Sequence, residues 1–450
     1  MIKSHNPYTD QELYNIEQLK DSQIEEAINK THLAYESWRQ TSFEQRSECM
    51  LKLAEALKAE KADLAKTMMQ EIGKPMTQAI AEIEKCAWVC EYYAENAASQ
   101  LADKTIKTDA QNSYVTHDPI GIVLAVMPWN YPFWQVFRFL APQLMAGNVG
   151  LLKHASNVML SAKNIQKLVE KAGFPTDVFI NLPIKSEKVS QVIQHPKVKA
   201  VTLTGSKKAG QAVASEAAKH IKKSVLELGG SNALVVFEDA DIDKTIETCV
   251  QARFQNTGQS CIAGKRLLLH HKLHDQFMEQ LITAVQDLKS GDPQDKETFI
   301  GVMARVDLAE ELESQMQKSC EQGAKIRIGG KRDKAYFEPT VLDEVQPGMP
   351  VFDEETFGPL LAVTTFKTEE EAIQLVNQSD FGLGVSLFTQ NIDNAKKYIS
   401  QIDDGAVFIN ELVKSDPRLP FGGTKISGFG RELSDDGILE FINRKTVYIK

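Results

Sequence analysis

Between residues 22 and 39 the apolar positions Ile24, Ala27, Ile28, Leu33, Ala34 and Trp38 recur near helical spacing. The same pattern runs through 44–69 and 74–98, with Gly73 and Pro75 marking the break between them. The first hundred residues therefore read as helices, and 114–119 reads as part of a β-hairpin. From Ile120 the texture changes. Residues 122–127 (Ile-Val-Leu-Ala-Val-Met) are almost purely apolar, as a strand buried on both faces would be. Runs at 149–153, 178–182 and 200–204 follow at intervals that leave room for helices, and 225–228 reads as a further strand. Strands alternating with helices predict a parallel α/β sheet of the dinucleotide-binding kind. A second α/β stretch carries strands at 233–237, 265–270, 360–365 and 385–389, and the chain closes on a strand at 445–450. No internal repeat, low-complexity tract or long linker interrupts it.

The 450 residues are enough for about three domains of roughly 150 residues. A formal charge of −10 argues against nucleic acid as the main partner, since phosphate binding needs a positive surface. It leaves room for a small anionic substrate in a local cationic pocket. The N-terminal segment has no apolar leader, and no apolar run approaches the ~20 residues that span a bilayer. The cytoplasm is the expected compartment, and the six scattered cysteines show no disulfide framework. Cys86 and Cys90, four apart on a helix, read as core packing rather than half a metal site. No metal is expected.

The chemistry concentrates at Gln255-Asn256-Thr257-Gly258-Gln259-Ser260-Cys261. A cysteine ending a polar, glycine-containing run has the access and the backbone N–H groups that a nucleophilic thiol needs. Upstream, Glu227 ends an apolar run before Gly229-Gly230 and offers a general base. Each residue alone reads more readily as structural: a buried cysteine, a solvated or ion-paired glutamate. Asn130, within Pro128-Trp129-Asn130-Tyr131-Pro132, presents an amide beside a helix start, where Asn is also a common cap.

Four more segments extend the set: Leu203-Thr204-Gly205-Ser206, Glu354-Glu355-Thr356-Phe357-Gly358-Pro359, Pro420-Phe421-Gly422-Gly423, and Lys425-Ile426-Ser427-Gly428-Phe429-Gly430-Arg431-Glu432. In this order and spacing the motifs resemble the aldehyde dehydrogenase superfamily over nearly the whole chain. The resemblance implies an NAD(P)-binding domain (1–104 and 120–227), a catalytic domain (228–429) and a small β oligomerisation flap (105–119 and 430–450). It implies a homodimer or homotetramer.

The resemblance also assigns roles. Cys261 attacks the aldehyde carbon, Asn130 and the Cys261 N–H hold the oxyanion, and Glu227 activates the water that hydrolyses the thioester. Trp129, Lys153, Ser156, Gly205, Ser206, Glu355 and Phe357 fall on the cofactor side. The Gly-x-Gly-x-x-Gly fingerprint is absent; instead 205–210 forms a small-residue turn into a helix, whose free N–H groups suit pyrophosphate. Many relatives place a proline after the lysine and an acidic residue three positions beyond it. Here those positions hold His154 and Ser156. A carboxylate there would repel a 2′-phosphate, so its absence favours NADP over NAD.

Trp134 and Arg138 share a helix face one turn apart, and a guanidinium binds carboxylate in bidentate fashion. With Ser415 in Lys414-Ser415-Asp416-Pro417-Arg418-Leu419, they resemble the short succinate-semialdehyde dehydrogenase branch and imply a small carboxylated aldehyde. The alternative for Arg138 is an ion pair with a protein acid at a subunit contact. Rival activities are oxidation of glutarate semialdehyde, a phosphorylated aldehyde or an uncharged aliphatic one. From another class comes a cysteine-dependent esterase or acyl transferase, and any such fold can also be reused without catalysis.

Overall fold

The structure is a computed structural model that describes all residues, Met1–Lys450. Helices Asp21–Trp38, Phe43–Ile72 and Met76–Gln100 occupy the region of helical periodicity. Ser42 and Gln45 satisfy each other's backbone N–H at the start of the second. Gly73 ends it at φ 70°, where a Cβ would stand 2.4 Å from Val302 Cγ2, so only glycine fits.

Behind these helices lies a six-stranded sheet. Its order is Gly428–Phe429, Lys223–Glu227, Val198–Thr204, Ile122–Met127, Val149–His154, Phe179–Asn181. The five longer strands are parallel; Gly428–Phe429 is an antiparallel edge. The second sheet has seven strands: Lys325–Ile328, Thr340–Asp343, Leu360–Phe366, Gly264–His270, Asn232–Val236, Val385–Phe388, Val407–Ile409. All are parallel except the edge strand Lys325–Ile328. Alternate residues of its central strands enter different cores. Ala233 and Val235 pack on one face; Leu234 and Val236 pack on the other. That two-sided burial is why those segments read as unbroken apolar runs.

A third, antiparallel sheet joins Ile442–Ile449, Asn112–Pro119 and Lys104–Thr105, with Ile442 opposite Pro119 and Ile449 opposite Asn112. Residues 430–441, expected with this flap, instead pack on the first sheet: Leu433, Ile438 and Phe441 lie in its core. An N-terminal hairpin, Ile2–His5 with Glu12–Ile16, was not anticipated. Its Tyr14 hydroxyl donates to Ser156 O (2.8 Å) and accepts from Met159 N (2.9 Å), so it props the turn that carries Ser156. No helix is long and apolar enough to cross a membrane.

Candidate active site

Strand Ile122–Met127 ends at the Pro128–Pro132 motif, and helix Trp134–Met145 begins just beyond it. The helix start is capped from a distance. Glu82 Oε1 accepts from Phe133 N (2.9 Å) and Trp134 N (3.0 Å), and its other oxygen pairs with buried Lys74. Lys74 also donates to Asn130 O (3.3 Å) and lies over the Tyr131 ring, 3.8 Å from its centroid. His154 takes the place where many relatives carry proline. It sits between Pro132 O (2.9 Å) and Met127 O (3.2 Å), and burial pulls its pKa down to about 4, so the ring is neutral. Asn130 is thus free of capping duty. Its Nδ2 donates to Gln259 O (3.0 Å), its Oδ1 accepts from Gln135 Nε2 (3.1 Å), and one amide hydrogen remains for the cleft.

The loop before Cys261 is held as tightly. Asn256 and Thr257 adopt left-handed φ of 54° and 53°, with Gly258 at 71°. Such angles cost about 1–3 kcal/mol for non-glycine residues and persist only when neighbours fix them. Asn256 supplies that fixing: its N–H donates to Gln78 Oε1 (2.6 Å), and its side chain donates to Asn130 O (2.9 Å) and Gln259 O (3.0 Å). Lys265 Nζ donates to the carbonyls of Ser260 and Cys261, both at 2.9 Å. The Cys261 N–H has no acceptor in the protein. Burial pushes the Cys261 thiol up to about 11, with the positive charges of Arg138 and Lys265 acting against it.

Cys261 lines two clefts at once. The first, about 360 Å³, is also lined by Trp129, Asn130, Gly205, Ser206, Glu355 and Phe357. Trp129 and Phe357 meet edge-to-face at 5.6 Å and bracket a slot for a flat ring. Glu355 Oε1 accepts from Gly230 N (3.0 Å) and lies 3.3 Å from Lys265. A Cβ on Gly229 would fall 2.2 Å from the other Glu355 oxygen, which accounts for the glycine pair. Ser206 caps helix Lys207–Lys219 by accepting from Ala209 N (3.3 Å), so the helix's positive end opens on this cleft. Lys153 and Ser156 stand outside it, at the carboxyl end of strand Val149–His154 and just beyond. Lys153 is 7% exposed and has no ion-pair partner; burial holds its ammonium below the usual lysine range. A ring slot, a helix N-terminus and an uncompensated lysine together fit an anionic nicotinamide dinucleotide.

The second cleft, about 370 Å³, is lined by Trp134, Gln135, Arg138, Ser415 and Phe421 among others. Trp134 Nε1 donates to Ser415 Oγ (2.9 Å). Arg138 has found an acid, but within its own chain rather than at a subunit contact. Its Nε pairs with buried Glu432, its Nη2 donates to Thr204 Oγ1 (3.2 Å), and its guanidinium lies over the Phe421 ring at 4.6 Å.

Glu227 is the one expected catalytic group whose side chain lines neither cleft. Its backbone is pinned opposite Gly428, and its Oε1 points at Gly422, where a Cβ would come within 2.8 Å. It is 2% exposed and neither carboxyl oxygen has a hydrogen-bond partner. Burial and neighbouring Glu432 push it well above the usual carboxylate range, against the pull of Arg138 and Arg431.

Sequence reasoning missed Lys74, Glu82, Lys85, Gln135, Gln259 and Lys265. One signal was present. Glu82 lies on the same helical stripe as apolar Ala79, Ile83 and Cys86, where a charge must be paired to be buried.

The Aldehyde dehydrogenase family model matches residues 1–447. A Synechocystis sp. protein named probable succinate-semialdehyde dehydrogenase (NADP(+)) is 46% identical over 451 residues, 100% of this chain and 99% of that one. The Escherichia coli succinate semialdehyde dehydrogenase (NAD(P)+) Sad is 41% identical, over 99% of this chain and 97% of its own. The crystal structure of succinic semialdehyde dehydrogenase from Streptococcus pyogenes in complex with NADP+ superposes with a TM-score of 0.97 at 35% identity, covering 100% of both chains.

Proposed function

The chain belongs to the aldehyde dehydrogenase family, and from that premise we propose that it oxidises succinate semialdehyde to succinate, with NADP⁺ favoured over NAD⁺. The observation that carries this reading is that the Cys261 sulfur is shared between a dinucleotide-shaped cleft and a cleft lined with cations. The relatives named for succinate semialdehyde and NADP⁺ support the choice of substrate and cofactor. So does uncompensated Lys153, with Ser156 in place of a carboxylate.

Cys261, once deprotonated, adds to the aldehyde carbon. The free amide hydrogen of Asn130 and the unengaged Cys261 N–H receive the oxyanion, each such donor being worth ~3 kcal/mol. A bound nicotinamide dinucleotide supplies the hydride acceptor. The carbon is left as a thioester on Cys261. Glu227 swings from beneath the cleft and takes a proton from water, the water oxygen adds to the thioester carbon, and the sulfur leaves as the acid forms. At rest, burial favours its neutral form; turning toward the cleft relieves that burial and lets the carboxyl ionise before it accepts the proton. Arg138 and Ser415 receive the substrate's own carboxylate, through the guanidinium edge left over from Glu432 and Thr204. All six cysteines are unpaired, in keeping with a reducing, cytoplasmic setting. The flap strand supports assembly as a homodimer or homotetramer.

Steady-state kinetics with succinate semialdehyde, glutarate semialdehyde and butanal, each with NADP⁺ and NAD⁺, test the reading. Succinate semialdehyde with NADP⁺ gives the highest kcat/KM; Cys261→Ser abolishes reduction of the dinucleotide; Glu227→Gln stops after one acylation burst; Ser156→Glu moves the preference toward NAD⁺. Higher kcat/KM for butanal, or ester cleavage with no reduced nicotinamide, would overturn it.

A further inference from the structure

Four cations line the substrate cleft: Lys74, Lys85, Arg138 and Lys414. Three are already neutralised. Lys74 is paired with Glu82, Arg138 with Glu432, and Lys414 with Glu411 at 2.7 Å. Lys85, half-buried on helix Met76–Gln100, has no carboxylate within ion-pair distance. Its Nζ donates to Ser415 Oγ (2.9 Å) and lies over the Trp134 ring, 4.3 Å from the centroid. Trp134 Nε1 donates to the same hydroxyl at 2.9 Å. Two donors therefore converge on the oxygen of Ser415, which leaves its hydrogen free to donate, and two hydrogens of the Lys85 ammonium remain unused.

We propose that Lys85 is a substrate-binding residue: the uncompensated cation that, with the Ser415 hydroxyl, receives the carboxylate of the aldehyde acid. The assignment rests on the reading that the substrate is a short semialdehyde. The physical case is one of charge balance. A cation drawn out of water without a counterion is costly, and an arriving carboxylate offsets that cost. Arg138 is paired with Glu432, so it offers the carboxylate a hydrogen-bonding edge but less net charge than a free cation. Lys85 carries the free charge, and Trp134 orients it from the side. Burial comes first, and the Arg138 guanidinium on the facing helix next, in lowering the Lys85 pKa to about 8; Cys86 and Glu82 on its own helix and Asp416 beside Ser415 oppose them. The ammonium is charged at neutral pH and is lost as pH rises through that value.

The test is kcat/KM for succinate semialdehyde and for butanal, measured on wild type, Lys85→Met and Lys85→Arg with NADP⁺. In Lys85→Met the acid loses about 10- to 100-fold while butanal is nearly unchanged, and Lys85→Arg regains most of the loss. In wild type the acid-to-butanal ratio declines as pH passes about 8, and in Lys85→Arg it stays level. Titrations of the thiol and the general base act on both substrates alike and cancel in the ratio. Equal losses on both substrates, or a wild-type ratio in Lys85→Met, would overturn the assignment while leaving the semialdehyde reading intact. A wild type with no preference for the acid would overturn both. Should Lys85→Met fail to fold, the pH dependence of the wild-type ratio against that of Lys85→Arg still decides.

Discussion

Cys261 reads as the proposed nucleophile because its neighbours in sequence are polar and small, but its charge state is a product of packing. Burial outweighs the nearby positive charges and raises the thiol to about 11. A raised thiol pKa favours the neutral form, so at neutral pH only a small fraction is thiolate. The rate of inactivation of the free enzyme by iodoacetamide therefore climbs about tenfold per pH unit from 7 to 10, monitored by residual activity and by mass of the Cys261 peptide. A plateau below pH 9 would contradict the assigned shift. The same sign applies to stability: this group's contribution is complete below the ordinary thiol range and is lost as pH rises toward about 11. Asn130 illustrates the other limit of single-residue reading. Beside a helix start its sequence supports a cap as well as an oxyanion donor. Glu82 takes the capping role from 51 positions away, which leaves the Asn130 amide available for the proposed one.

At the scale of elements, the left-handed turn before Cys261 is the feature most sensitive to change. Gly258 sits at φ 71°, and an added Cβ would be 2.3 Å from Gly358 O, a backbone atom that cannot step aside. Arg253 holds that carbonyl in place by donating to Gly358 O, to Thr356 O (3.1 Å) and to Leu360 O (2.6 Å). Gly258→Ala is expected to cost about 1–3 kcal/mol of stability and to lower kcat/KM on every aldehyde. A melting curve and a two-substrate assay check this, and wild-type values in both would refute it. The buried parallel strands were readable because burial on both faces leaves an unbroken apolar signature. The edge strands were not. Lys325–Ile328 and Gly428–Phe429 are short, partly exposed and partnered on one side only, so their sequences carry no period. The N-terminal hairpin escaped for the same reason: only Ile2, Ser4 and Tyr14 of its nine strand residues are buried.

For the whole molecule, the proposed assembly of several chains falls on strand Ile442–Ile449. It pairs with Asn112–Pro119 on one edge only, and Tyr448 and Ile449 are 51% and 45% exposed. An eight-residue strand with an apolar tip and a free edge is a ready site for pairing with another chain. Deleting residues 446–450 is expected to reduce the sedimenting species to monomer while the family fold is retained; an unchanged sedimentation coefficient would show that the contacts lie elsewhere. The sequence by itself determined the helical and strand periods, the α/β class, the family motifs and the proposal of Cys261 as nucleophile, because all of these are written in neighbouring residues. Only the tertiary structure decided which charges cancel: Arg138 against Glu432, Lys74 against Glu82, Lys85 against nothing, and Glu227 buried with neither oxygen partnered. Those outcomes depend on distances between segments as far apart as Lys85 and Ser415, 330 positions along the chain. Electrostatic balance is set by such distances and by burial, and no local pattern encodes either.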